Sequence, residues 1–265
     1  MAAAGASGRD AVSVVNEAGK GPFVLACDHA SNRIPAGYGT FGLPAADLQR
    51  HIAWDPGALA VSEAMAATLG APLVASTVSR LLVDCNRPLD APDLIWEVSE
   101  DTRIPGNLGL SQTERRRRID FAWRPFHDAI DRLIETRLAA GSAVGLVTVH
   151  SYTPVWKGVA RPWHVGIIHD EDERLSAPLL AGLRAEAGLV VGDNQPYSPA
   201  DRVYFTLERH ARSRGLPCGM IEIRNGLIAD ARGQDAWADK LTRLLAAVQP
   251  AAEASAQKAG VVRHA

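Results

Sequence analysis

The chain has 265 residues, near the upper end for one domain and enough to bury a large core, and its 47% hydrophobic and 22% charged composition is that of a globular protein. A formal net charge of −2 provides no overall basic surface for nucleic acid or an anionic membrane, and no apolar run reaches the roughly 18 residues that crossing a bilayer demands. The three cysteines, Cys27, Cys85 and Cys218, form no C-x-x-C pair and sit in or beside apolar runs, as free thiols in a reducing cytoplasm would.

Residues 1–10 are small and polar and are expected to form a flexible lead-in, as is the Ala-rich tail at 251–265. Between them no linker or repeat divides the chain, so one domain over 11–250 is expected. Residues 23–27 read as a buried strand. A helix is predicted over 56–69, with Asp55 at its N-cap and Pro56 at its first position. Residues 72–76 and 80–84 read as strands. Residues 90–109 are irregular, contain Pro and Gly, and are long enough to suggest an active-site loop. Ser111 with Glu114 three residues on is a capping-box pattern, opening a helix that runs to about residue 140 and bends near Pro125. The basic run Arg115 to Arg118 belongs to this helix's polar opening rather than to a nucleic-acid patch, because Ile119, Ala122, Phe126, Ile130 and Leu133 follow at near-helical spacing. Strands at 144–149, 162–168, 189–191 and 218–223 and helices at 175–186, 204–213 and 235–248 complete the reading. Strands alternating with helices predict an α/β layered fold.

The chemistry-bearing residues cluster where strands should end, and in an open α/β sheet the ligand crevice lies outside the carboxyl ends of the strands. His29 follows the first buried strand and His150 the strand at 144–149. Two imidazoles converging from separate strands, with a third protein ligand and an open position, would make a catalytic zinc site. Asp55 is the preferred third ligand, with Asn32 and His51 as competitors. Glu222 lies in the apolar run Met220-Ile221-Glu222-Ile223; a carboxylate there is costly unless it is paired or functional, as a general base for instance. Arg80 and Arg87 flank Leu81-Leu82-Val83 and, with Asn86, would suit an acidic substrate or a developing oxyanion. Neither Ser31 nor Ser151 lies in a Gly-x-Ser-x-Gly elbow, and phosphate-cradling Gly loops are absent.

In chain order, Asp28-His29-Ala30-Ser31-Asn32, His51-Ile52-Ala53-Trp54-Asp55-Pro56-Gly57, Ser79-Arg80 with Asp84-Cys85-Asn86-Arg87-Pro88, His150-Ser151-Tyr152 and Glu222-Ile223-Arg224-Asn225 resemble the N-formylglutamate amidohydrolase family. The resemblance runs from about residue 23 to 248. It implies a three-layer sandwich around a central mixed, mostly parallel sheet, like that of zinc carboxypeptidases and aspartoacylases. It also implies one Zn2+ per chain and release of formate and glutamate from N-formyl-L-glutamate, a late step of histidine breakdown. His29 and His150 match metal-ligand positions, Arg80 would polarise the scissile carbonyl, and Glu222 would be general base and later acid. Asn86 and Arg87 would hold a substrate carboxylate and Arg224 would add a second contact; Tyr152, Tyr197 and Trp163 would either wall the pocket or serve as ordinary core aromatics. Carboxypeptidase-like relatives carry His-x-x-Glu where this chain has His29 and Asn32, so the acid is expected from Asp55. A hydrolase of other small amides or peptides, and a metal-free binding protein on the same fold, are the alternatives. The expected partner is a small acidic molecule, with neither nucleic acid nor membrane.

Overall fold

A computed structural model describes residues 11–248; the two expected tails lie outside the described residues. Seven strands form one sheet: β1 (Val12–Val15), β2 (Phe23–Cys27), β3 (Leu73–Ser76), β4 (Gly145–Tyr152), β5 (Val165–Ile168), β6 (Val191–Asp193) and β7 (Cys218–Arg224). Their spatial order is β1-β3-β2-β4-β7-β5-β6. The four central strands β3, β2, β4 and β7 run parallel, while β1 pairs antiparallel to β3 and β5 antiparallel to β7.

Helices cover both faces, so the central strands are apolar without interruption rather than alternating with polar residues. Phe23, Leu25 and Cys27 of β2 join a core that includes α1 (Ala58–Leu69), α4 (Ser176–Arg184) and α6 (Ala231–Ala246). Val24 and Ala26 point the other way, into a core with α3 (Arg124–Ala139) and α5 (Phe205–His210). This is the expected three-layer sandwich with a mixed, mostly parallel sheet. No described helix is long and apolar enough to cross a membrane.

Most predicted elements are present with bounds shifted by a few residues, and the departures have local causes. Strand β1 has no counterpart in the sequence reading; it is four half-buried residues on a sheet edge, too short for alternation to show. Residues 80–84 are not a strand. Leu81, Leu82 and Val83 are buried, but in a third apolar cluster built from loops, and their backbone groups bond to loops: Arg80 N–H donates to Ala53 O and Asp84 N–H to Leu94 O. An apolar run reports burial, and nothing in it specifies a ladder partner. The helix expected over 111–140 is interrupted by a π-helical turn at Ile119–Trp123, between α2 (Gln112–Arg118) and α3 and just before Pro125. Ser111 caps α2 by accepting from Glu114 N–H, while Glu114 turns forward to Arg118 instead of completing the box. Arg118 is buried and also donates to Asn107 Oδ1 at 2.7 Å, so the basic run is partly structural.

Asp55 does not cap α1, which begins at Ala58 with Gly57 in the cap position. Gly57 has φ 83°, and a Cβ there would lie 2.2 Å from the Ile228 carbonyl oxygen. Only glycine fits a left-handed turn pressed against another backbone, and this turn leaves the Asp55 side chain free to face elsewhere. Gly57→Ala should lower unfolding free energy by about 1–3 kcal/mol, read as a lower midpoint in urea denaturation followed by circular dichroism.

Candidate active site

Parallel register brings three polar residues into one row. Ala26 of β2 lies opposite Thr148 of β4, so Asp28, two residues on, comes level with His150; in turn His150 lies opposite Glu222 of β7. Side chains two apart share a face, which puts all three at the carboxyl ends of adjacent strands, on the face that α3 and α5 cover. His29 follows at the next position, and the loop carrying Asp55 is tied beneath it by Asp55 N–H donating to His29 O at 2.9 Å.

His29, Asp55 and His150 are buried and offer ligand atoms within 4.8 Å of one another, a group able to hold a metal ion. Asp55 Oδ2 lies 3.0 Å from His150 Nδ1 and 3.4 Å from His29 Nδ1. The opposite nitrogen of each ring faces another carboxylate: His29 Nε2 is 2.7 Å from Asp84 Oδ1, and His150 Nε2 is 3.1 Å from Asp28 Oδ2. Carboxylates behind metal-binding histidines set tautomer and ring orientation. His29 Nδ1 and Asp55 Oδ1 are buried without a hydrogen-bond partner. Two imidazole nitrogens and a carboxylate, with such unpartnered atoms among them, fit a divalent cation of the zinc type. Asn32, the competitor, is turned away, its amide donating to Leu48 O at 3.0 Å. His51 is nearby with Nδ1 3.2 Å from Asp55 Oδ1, outside the three-residue group.

The electrostatics are those of a cluster sharing charge. Burial opposes ionisation of Asp55 and Asp84, yet both are held well below the usual carboxylate range, Asp55 by the three histidines around it and Asp84 by Arg80 and His29. His29 and His150 are shifted upward: burial would lower both, but the flanking aspartates outweigh it. Glu222 behaves oppositely. Burial, with Asp55 adding repulsion, pushes it up to about 7 despite the neighbouring histidines, and its Oε2 has no hydrogen-bond partner.

These groups open onto a cavity of about 540 Å³, lined by His29, Asp55, His150, Glu222 and Arg80 among others. Arg80 Nη2 donates to Asp84 Oδ2 at 2.8 Å and Nη1 lies 3.7 Å from Asp55 Oδ1. Asn86 and Arg87 also line the cavity but are heavily engaged. The Asn86 amide accepts from Thr206 N–H and donates to Val203 O, and Arg87 is paired with Asp93 at 2.9 Å. Tyr152 and Arg224 are not among the lining residues: the Tyr152 side chain is fully buried with its hydroxyl donating to Trp163 O, and Arg224 ends β7 two residues beyond Glu222. The sequence reading missed Asp28 and Asp84 as supports, although both stand in the motifs it singled out. It also missed Arg161, which lines the cavity and follows a two-residue exposed strand, Val159–Ala160, too short to be read from the sequence.

A family description for N-formylglutamate amidohydrolase matches residues 21–229. The chain belongs to the N-formylglutamate amidohydrolase family. Among solved structures, the gene product Atu2144 from Agrobacterium tumefaciens is 47% identical, with 90% of this chain and 94% of that one covered at a TM-score of 0.88. An N-formylglutamate amidohydrolase from Ralstonia eutropha JMP134 shares the fold at 22% identity and a TM-score of 0.66, covering 89% of this chain and 95% of that chain. No curated protein matches.

Because the two imidazoles that face the cation position hold their protons more tightly than usual, a metal must displace those protons. Zn2+ affinity should therefore rise with pH across neutrality, by as much as ~100-fold per pH unit where two protons leave. Titration calorimetry in buffers of different ionisation enthalpy reads the protons released; none released would contradict the ligand set. Asp84→Asn should weaken Zn2+ binding by about 10–100-fold, measured by competition with a chromophoric chelator.

Proposed function

We propose that the protein hydrolyses the amide bond of an N-formyl, or related N-acyl, acidic amino acid, with N-formyl-L-glutamate giving L-glutamate and formate. In this reading His29, Asp55 and His150 hold a Zn2+ ion as cofactor. Family membership supports the reaction class, and one observation carries the mechanism: a buried carboxylate poised near neutrality, Glu222, stands one strand away from His150 at the floor of the cavity.

The zinc would supply Lewis acidity to a water and to the substrate carbonyl at neutral pH. Glu222 takes a proton from the attacking water at a carboxylate oxygen as the carbon–oxygen bond forms. Its unpartnered Oε2 is the available acceptor, and a base near pH 7 both holds and releases a proton readily. Arg80 is fixed by Asp84 through Nη2 and lines the cavity, where Nη1, in only long-range contact with Asp55 at 3.7 Å, would donate to the oxygen that gains charge. The proton on Glu222 then passes to the amide nitrogen as the carbon–nitrogen bond breaks, so the amine leaves neutral and the base is regenerated. Burial of the row Asp28, His150 and Glu222 keeps bulk water from competing for these protons.

Purified protein should release formate from N-formyl-L-glutamate with about one zinc per chain, and chelation should abolish release and zinc return restore it. Zinc-loaded protein that releases no formate would discard the substrate. Glu222→Gln should retain the zinc and lower kcat by on the order of 10²–10⁴; unchanged turnover would remove the general-base role. Since the active form of Glu222 is the carboxylate, kcat/KM should fall as pH drops through the Glu222 pKa, which is about 7 without metal and lower once a cation is bound. A flat profile between pH 5 and 8 would exclude Glu222 as that group.

A further inference from the structure

Three arginines line the cavity, and two are committed. Arg80 is paired with Asp84 and faces Asp55, and Arg87 is paired with Asp93. Arg161 has no carboxylate within ion-pair distance among the described residues, although it is only 9% exposed. The carboxylate whose charge it feels, Glu222, lies beyond ion-pair distance and holds its own proton to near neutrality, so this largely buried guanidinium lacks a full counter-ion, which is costly unless something else supplies the anion.

Its surroundings hold it in place without neutralising it. The guanidinium carbon lies 4.7 Å from the Tyr197 ring centroid, 5.2 Å from that of Trp156 and 5.7 Å from that of Tyr152. Three aromatic faces attract the cation and restrict its rotamers, so little entropy remains to be lost on binding a ligand. Nη1 donates to the Tyr197 hydroxyl oxygen at 3.0 Å. Because that oxygen is acting as acceptor, the phenolic hydrogen is left to donate to another group. Tyr197 stays protonated, its pKa pushed up to about 12 by burial and by Glu222. The remaining guanidinium nitrogens offer a planar fork of donors of the kind a carboxylate accepts, with the phenol hydrogen as a further donor beside it. Tyr197 also feels the field of Arg80, and both residues line the same cavity.

The geometry points to Arg161 and Tyr197 as the subsite that binds a carboxylate of the substrate, and so as the specificity-determining pair of the reaction. A substrate amide placed between Arg80 and Glu222 would then extend one carboxylate toward Tyr197 and Arg161. The substrate class that fits is an N-acyl amino acid with a free carboxylate, and amidation of that carboxylate removes the recognition. The subsite rests on the amidohydrolase reading for its substrate, but binding can be measured without turnover.

Two measurements on the zinc-loaded full chain test it. Glutarate, a dicarboxylate with no scissile bond, should bind the wild type in calorimetry. Arg161→Gln should weaken it on the order of 100-fold, and Tyr197→Phe, which removes a single hydroxyl, by about tenfold. In kinetics, wild type should prefer N-formyl-L-glutamate over at least one of its two mono-amides, N-formyl-L-glutamine and N-formyl-L-isoglutamine. Arg161→Gln should erase that preference by losing kcat/KM on the diacid and not on the disfavoured mono-amide. If Arg161→Gln does not fold, the Tyr197→Phe result decides. Wild type that does not bind glutarate, or variants with wild-type glutarate affinity and preference, would overturn the subsite and leave the amidohydrolase reading intact. Glutarate binding that depends on Arg161, in a protein that cleaves no N-formyl compound, would uphold the subsite and discard the reaction.

Discussion

The active-site end of the sheet depends on one buried carboxylate with a full set of donors. Asp84 accepts from Asn86 N–H at 2.9 Å, Arg80 Nη2 at 2.8 Å and Trp96 Nε1 at 3.0 Å, and its Oδ1 lies 2.7 Å from His29 Nε2. An ionised carboxylate has about four lone-pair sites and donates nothing, so every partner must bring the proton. That condition places the His29 proton on Nε2 and leaves Nδ1 as the atom facing Asp55. It also holds Arg80 through Nη2, with Nη1 3.7 Å from Asp55 Oδ1 at the cavity wall. Asp84 thus orients His29, the first candidate metal ligand, and Arg80, the candidate oxyanion donor, together.

The position of Asp84 is supported in turn from the far side of the loop. His127 Nε2 lies 2.9 Å from the Cys85 carbonyl and Nδ1 lies 2.7 Å from His210, which reaches Asp131 at 2.8 Å. Burial lowers the pKa of His127 to about 3, so it serves as a neutral strut and not as a titrating group. The Asn86 amide ties the same loop to residues 203 and 206. Asp28, behind His150, accepts from the Thr206 hydroxyl. The two carboxylates that back the histidines are therefore both braced against the segment leading into α5, which makes the geometry of the site a property of the packed layer and not of any one loop.

Charge accounts for the site's composition. Asp28, Asp55 and Asp84 are buried carboxylates held in their ionised form, with Arg80 as the one arginine in contact with this group among the described residues. Without metal the deficit is met by protons on His29 and His150, which is why their pKa values rise. A divalent ion would meet the same deficit from the same place. Glu222, at the edge of this group, keeps its proton to near neutrality chiefly because burial opposes its charge, with repulsion from Asp55 adding to it, and that is the property a proton-transferring residue needs.

How much of this could be read from the chain differs by feature. The buried strands were legible because parallel strands covered on both faces are apolar without interruption, as in Phe23-Val24-Leu25-Ala26-Cys27. The run Leu81-Leu82-Val83 carried the same signal and is a loop, since burial does not name a hydrogen-bonding partner. His29, His150 and Glu222 were legible because a polar group ending an apolar strand is costly and so carries information. By itself the sequence determined an α/β order of elements, the polar residues at three strand ends, and the family motifs that contain Asp28, Asp55 and Asp84. Only the tertiary structure decided that parallel register sets Asp28, His150 and Glu222 in one row, and that the turn at Gly57 frees Asp55 to join them. It also decided that Asn86 and Arg87 are occupied while Arg161 is left without an anion. Those outcomes depend on which distant groups meet in space, and local sequence carries no term for the partner across the cavity.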